Sequence, residues 1–203
     1  MKWFIIEGSI GSGKSTILSE LSKNTNVEVI SEPVDIWENL KNDDNKSLLE
    51  LYYKDPSKYS YLFQTMVFMT RIRKLETPQV KNVRISERSV WTDRYVFVKT
   101  MLKQKSMSFI EGKCYDEVYP WLLEKFLPKP DGIIYLQTDP QTCYERIKHR
   151  ARDCEKAISL EYLEELHKNH EEWLNNWDSC PVIIINKNND VGTTINMINE
   201  IIK

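Results

Sequence analysis

Apolar residues along this chain collect in five short runs: "KWFIIE" (2–7), "VEVIS" (27–31), "VRISE" (83–87), "GIIYLQ" (132–137) and "PVIIIN" (181–186). Rich in Ile and Val, they read as buried strands rather than alternating ones. Between the runs the period changes to that of a helix. "KSTILSELSK" follows the first run, and "PSKYSYLFQTMVFMTRIRKLE" fills 56–76. Residues 91–105 and 114–127 read as helical. "DPQTCYERIKHRARD" opens on Asp-Pro, a helix entry. "SLEYLEELHKNHEEWLNNW" carries Leu and Trp three and four apart, and "GTTINMINEIIK" ends the sequence. "NDDN" at 42–45 reads as a polar loop. Strands alternating with helices predict an α/β fold with a five-stranded parallel sheet and helices on both faces.

Composition narrows the function. The 203 residues carry 28 Lys and Arg against 30 Asp and Glu, a net charge of −2. That balance argues against a nucleic-acid partner but not against a small anion. Cys114, Cys143, Cys154 and Cys180 form no CxxC and no zinc spacing; they read as free thiols in a reducing compartment. The first residues already read as a strand, which leaves no signal peptide to cleave. No apolar run approaches the ~20 residues of a membrane helix. A soluble, cytoplasmic protein is expected, with residues 1–203 forming one domain.

"EGSIGSGKST" supplies the chemistry. Gly8, four residues, then Gly13, Lys14 and Ser15 fit a phosphate-binding loop. Glycines let successive backbone N–H groups turn toward phosphate oxygens. Lys14 then reaches the β- and γ-phosphates, and Ser15 offers its hydroxyl to Mg²⁺. The helix that follows points its positive end at the anion. A nucleoside triphosphate is the ligand that this pattern predicts, along Gly8, Ser9, Ile10, Gly11, Ser12, Gly13, Lys14, Ser15 and Thr16. A switch GTPase is rejected: no Asp stands three residues before a Gly, and "NKNND" puts its Asp one position late for the base-reading motif.

Two other strand ends carry charge. "SEPVDIW" puts Glu32 at a carboxyl edge of the sheet, where open α/β folds bind ligands. There a carboxylate can accept the proton of an attacking hydroxyl, or simply decorate the surface. "SERSVWTDRY" offers Glu87 for a metal beside Ser15 and Arg88 for an oxyanion, or a structural ion pair. Arg146 and Arg150 share a helical face, as a lid over phosphates or as a solvated basic face. On 56–76, Gln64, Val67 and Arg71 fall on one stripe. A buried Gln and Arg there need partners, which a nucleobase edge supplies.

"GSIGSGKST", "SEPVDIW", "LLELYYKDP", "FQT", "RIR", "ERSVWTDRY", "YERIKHRAR" and "LEYLEELHKNHEEWL" occur in one order at natural spacings. Together, from about residue 3 to the C-terminus, they resemble the deoxynucleoside kinases, the family of deoxycytidine, deoxyguanosine and mitochondrial thymidine kinases. The resemblance implies a P-loop kinase fold, a homodimer, and transfer of the ATP γ-phosphate to a deoxynucleoside 5′-hydroxyl with Mg²⁺. It makes Glu32 the base, gives Lys14 and Arg88 the transferring group, and gives Ser15 and Glu87 the metal. Arg146, Arg150 and Arg152 would close a lid spanning about 146–156. Asp190 would lie near the ATP base, although it also suits a helix N-cap. Trp37, Tyr53 and Glu155 would line the sugar site. Phe63, Gln64, Val67, Arg71, Asp93 and Phe97 would enclose the base.

Arg71 and Asp93 match the deoxycytidine and deoxyguanosine kinases, whereas thymidine-preferring members carry small or apolar residues there. Deoxycytidine and purine deoxynucleosides are therefore expected over thymidine. Val67, bulkier than its deoxycytidine kinase counterpart, resembles the thymidine-tolerant members. Cys154 stands where many relatives are acidic, and Ser159 replaces a frequent Pro, so a less rigid lid exit is expected. Two alternatives remain: a thymidylate kinase, whose "DRY" follows a strand directly, and a non-catalytic ATP-binding module.

Overall fold

The computed structural model describes residues 1–152, 155–186 and 190–203. Five strands, β1 (Lys2–Glu7), β2 (Val27–Ile30), β3 (Val83–Glu87), β4 (Gly132–Gln137) and β5 (Val182–Asn186), pair in parallel in the order β2-β3-β1-β4-β5. The central β1 has β3 on one side and β4 on the other. Chain direction across the sheet therefore reverses beside β1, and a crevice opens at its carboxyl end.

Successive side chains of β1 serve opposite faces. Phe4 and Ile6 join Ile134, Leu136 and Ile85 under helices α1 (Lys14–Leu21) and α10 (Val191–Ile201). Trp3 and Ile5 join Ile133 and Tyr135 under α8 (Pro140–Arg150) and α9 (Leu160–Asn175). The outer strands depart from the sequence reading: β2 is buried at Val27 and half-buried beyond, and β5 exposes Ile184 and Asn186. Edge strands have one neighbour and narrower helical cover.

A third apolar cluster lies beyond the sheet, among α2 (Val34–Asn39), α3 (Leu48–Lys54), α4 (Pro56–Leu75) and α7 (Phe109–Phe126). The apolar pattern had not marked α2 and α3 as helices, and it had begun α7 five residues late. The sequence contains the missing signals: Ser47 with Glu50, and Ser108 with Glu111, form capping boxes. The helix expected over 91–105 is also composite. α5 (Val90–Thr92) runs through a π-helical turn, Asp93–Val98, into α6 (Lys99–Lys103). Such a turn is a frequent mark of a functional site. This one brings both Asp93 and Phe97 to the cavity described below.

Among the described residues no helix is long and apolar enough to cross a membrane. Cys114, Cys143 and Cys180 are free thiols. Cys154 lies outside the described residues.

Candidate active site

The loop after β1 winds through three glycines with positive φ, Gly8 at 147°, Gly11 at 79° and Gly13 at 96°. A Cβ at Gly11 would sit 2.5 Å from the Cys143 carbonyl oxygen, so only glycine lets the loop touch α8. The Lys14 ammonium folds back and donates to the carbonyls of Gly8 (2.9 Å) and Ser9 (2.8 Å). Burial, and then the Arg88 charge, pushes it down to about 8. A triphosphate laid along the loop would give this ammonium the negative partner it now takes from backbone oxygens.

Opposite the loop, Glu32 is gripped by two guanidinium groups. Arg71 Nη2 donates to its Oε1 at 3.0 Å, and Arg88 Nη1 donates to its Oε2 at 2.7 Å. Burial alone would raise this carboxyl, but Arg88 and Arg71 together outweigh it and bring Glu32 down to about 2. Arg71 also holds Asp93 through Nε at 2.9 Å and Nη2 at 3.1 Å, and donates to the Glu87 carbonyl at 3.0 Å. Arg88 has a φ of 58°, rare for a side-chain-bearing residue. Its guanidinium lies 5.2 Å from the Phe97 ring centre.

Ser15 Oγ donates to Glu87 Oε1 at 3.0 Å. A hydroxyl and a carboxylate oxygen thus meet at the foot of the loop, the hard donor set that suits Mg²⁺ beside phosphates.

One cavity of about 990 Å³ joins these parts. Ile10, Gly11, Gly13, Lys14, Ser15 and Thr16 line its loop end, with Gly8, Ser9 and Ser12 forming the turn behind them. Arg146, Arg150 and Arg152 line it as well, Arg146 beside Gly13 of the loop. Glu32, Glu87 and Arg88 occupy the middle, and Trp37, Tyr53, Phe63, Gln64, Val67, Arg71, Asp93 and Phe97 the far end. Gln64 is buried and its Oε1 has no partner, a state that a bound hydrogen-bond donor would relieve. Phe63 is fixed by stacking on Tyr52 at 4.5 Å and by the edge of Trp37. Trp37 in turn donates from Nε1 to Thr70 Oγ1 at 3.0 Å.

A model of the deoxynucleoside kinase family matches residues 4–203. The chain belongs to that family. Its architecture is accordingly the P-loop kinase fold. Among its relatives are human mitochondrial thymidine kinase 2 (41% identical, 83% of this chain and 63% of the relative) and Xenopus laevis mitochondrial deoxyguanosine kinase (37%, 94% and 83%). Chicken deoxycytidine kinase 2 is 35% identical over 91% of this chain and 82% of its own length. The chain spans slightly less than two thirds of the mitochondrial thymidine kinase 2 proteins.

Two of the residues named from the resemblance are held by local partners. Asp190 is not among the cavity-lining residues. It caps α10, accepting from the Thr193 backbone at 2.9 Å, and residues 187–189 before it lie outside the described residues. Glu155 lines the cavity but is already engaged, accepting from Arg150 Nη2 at 2.6 Å with Arg152 3.6 Å away. Ser159 does what a Pro there would not: its hydroxyl caps α9 through the Tyr162 backbone at 3.2 Å. Sequence reasoning missed Tyr52 and Tyr162, which line the cavity and lie 3.5 Å apart through their hydroxyls. Tyr52 had stood in plain view beside Tyr53 in "LLELYYKDP".

Glu32→Gln leaves two buried guanidinium groups facing a neutral amide. The expected loss is roughly 3–5 kcal/mol in urea unfolding at neutral pH. The ionised Glu32 contributes above its unfolded value near 4.5, and that contribution is lost as pH falls toward about 2. The gap between wild type and variant should therefore shrink near pH ~3. Equal stability at neutral pH would contradict the clamp.

Proposed function

We propose that this chain transfers the γ-phosphoryl group of ATP to the 5′-hydroxyl of a deoxynucleoside. The observation that carries this reading is the continuity of the cavity from the phosphate loop, past Glu32 and Arg88, to the buried Gln64 amide. The loop and Lys14 take the triphosphate, and Arg146, Arg150 and Arg152 close over it. Ser15 and Glu87 suit a Mg²⁺ ion, which when bound neutralises phosphate charge. Gln64 takes the base edge, Phe63 and Phe97 its faces, and Trp37, Tyr53 and Glu155 the sugar.

A carboxylate as acidic as Glu32 is a weak base. Its role is to accept a hydrogen bond from the 5′-hydroxyl and aim that oxygen, receiving the proton only as the new P–O bond forms. Phosphoryl transfer has a loose transition state, so positioning and charge outweigh base strength. An arginine in that setting contributes ~10³–10⁵ in rate, against ~10²–10⁴ for a general base. Arg88, already beside Glu32, is the residue poised for that part.

Arg71 and Asp93 favour bases with amino or imino groups, hence deoxycytidine and purine deoxynucleosides over thymidine. A competition assay with all four deoxynucleosides tests this. The double variant Arg71→Met, Asp93→Ala should raise the thymidine-to-deoxycytidine turnover ratio by at least ~10-fold. An unchanged ratio would contradict the assignment, and phosphorylation of monophosphates alone would make the chain a thymidylate-type kinase.

The outer side of α4 and α7 supports a homodimer. Phe68 packs on Tyr115 and Tyr119 to join the two helices. Outward they leave Leu62 and Met69, with Phe109 (77% exposed), Ile110 (67%), Val118 and Trp121 (56%), uncovered. A second copy is the occupant suited to an apolar face on this scale. Ile110→Glu with Trp121→Glu should shift sedimentation from dimer to monomer; a wild type that sediments as a monomer would refute the face.

A further inference from the structure

Glu7 lies at the end of β1, one residue before the phosphate loop, and no part of it reaches solvent. It pairs with Tyr135 across the sheet and so projects toward the α9 side. Its Oε1 accepts from Ser89 Oγ at 2.6 Å, while its Oε2 is buried with no partner. Ser89 directly follows Arg88 and caps α5, its Oγ accepting from the Thr92 backbone at 3.3 Å. The backbone repeats the tie: Arg88 N donates to the Ile6 carbonyl at 2.9 Å. The turn that holds Arg88 in its left-handed conformation is thus fastened twice to the strand end that launches the phosphate loop.

The charge state of Glu7 matters to that joint. Burial pushes the Glu7 carboxyl up to about 7, outweighing the bond from Ser89, the nearby Thr92 hydroxyl, Arg88 in the β3–α5 turn and Arg71 on α4, all of which favour its ionised form. Lys14 on α1 and Tyr135 on β4 also feel its charge. His170 on α9, stacked on Tyr135, is held neutral by burial. A buried carboxylate with one oxygen unpaired is costly, and a neutral acid is far less so.

We propose that Glu7 is a positioning residue for phosphoryl transfer, whose carboxyl holds Ser89, and through it Arg88, in register with the phosphate loop. It never touches substrate. Its ionisation would introduce a negative charge among Arg88, Arg71 and Lys14 and compete with Glu32 and the phosphates for those cations. The proposal rests on the phosphoryl transfer proposed above.

Glu7→Gln keeps an acceptor for Ser89 and removes the ionisation; Glu7→Ala removes both. With whichever deoxynucleoside the wild type turns over best, kcat should fall as pH rises through about 7. Glu7→Gln should keep kcat within about 3-fold of wild type near pH ~6 and lose that alkaline fall. Glu7→Ala should lower kcat by ~10–100-fold with little change in KM for either substrate. A second readout needs no turnover and so separates this proposal from the assigned reaction. A carboxyl raised on folding stabilises below its unfolded value and loses that contribution as pH rises through its folded one. The melting temperature of Glu7→Gln relative to wild type should therefore climb between about pH 5 and pH 8. A kcat profile of Glu7→Gln that superimposes on wild type would overturn the proposal, as would a flat difference in melting temperature. Should Glu7→Ala fail to fold, Glu7→Gln decides alone.

Discussion

The site depends on one carboxylate shared between two buried guanidinium groups. Glu32 comes from just beyond β2, Arg71 from the C-terminal part of α4 and Arg88 from the turn after β3. Glu32 and Arg88 depend on each other for charge, because an unpaired ion in that interior would cost several kcal/mol, while Arg71 is held in addition by Asp93. The clamp therefore fixes how the helical layer α2–α4 sits over the sheet edge. It also leaves a charged group at the point where a phosphate loop and a base pocket meet. The same contacts that settle the resting geometry are those a nucleoside would have to reorganise.

Around that clamp, backbone devices aim the side chains. Arg88 adopts a left-handed conformation at the strand end, and the π turn brings Asp93 and Phe97 to face the cavity together. Gly11 lets the phosphate loop press on α8, the helix that carries Arg146 and Arg150. Each device costs some local stability and is held by packing: Ile85, Ile133, Ile134 and Leu166 beneath and beside the site are fully buried. Rigidity in the sheet lets strain persist at its edge.

Much of this was legible in the sequence. The strands were visible because a central parallel strand is buried on both faces, and β1 and β4 are apolar on both; β3 was visible through Val83 and Ile85, with Arg84 and Ser86 on its other face. The phosphate loop was visible because its glycines and lysine have fixed spacing. Gln64 and Arg71 were visible as polar residues on a buried stripe. α2 and α3 were not, since two short helices show no sustained period; only the Ser47–Glu50 cap marked one of them. The conformation of Arg88 and the π turn follow from tertiary contacts that no local pattern encodes. Nothing in "KWFIIE" marks Glu7 as a buried acid; its burial and its bond from Ser89 emerge only in the folded chain. Asp190 shows the converse: the local reading as a helix cap describes what its side chain does here.

The central claim is that Glu32 leaves part of its arginine clamp to take the sugar hydroxyl. A crystal structure with a deoxynucleoside and ADP bound tests this most directly. The account predicts a Glu32 carboxylate oxygen about 2.7 Å from the 5′-hydroxyl, with Arg88 beside both and the base edge on Gln64. A nucleoside bound with its 5′-hydroxyl out of reach of Glu32, and both arginine contacts unchanged, would contradict it.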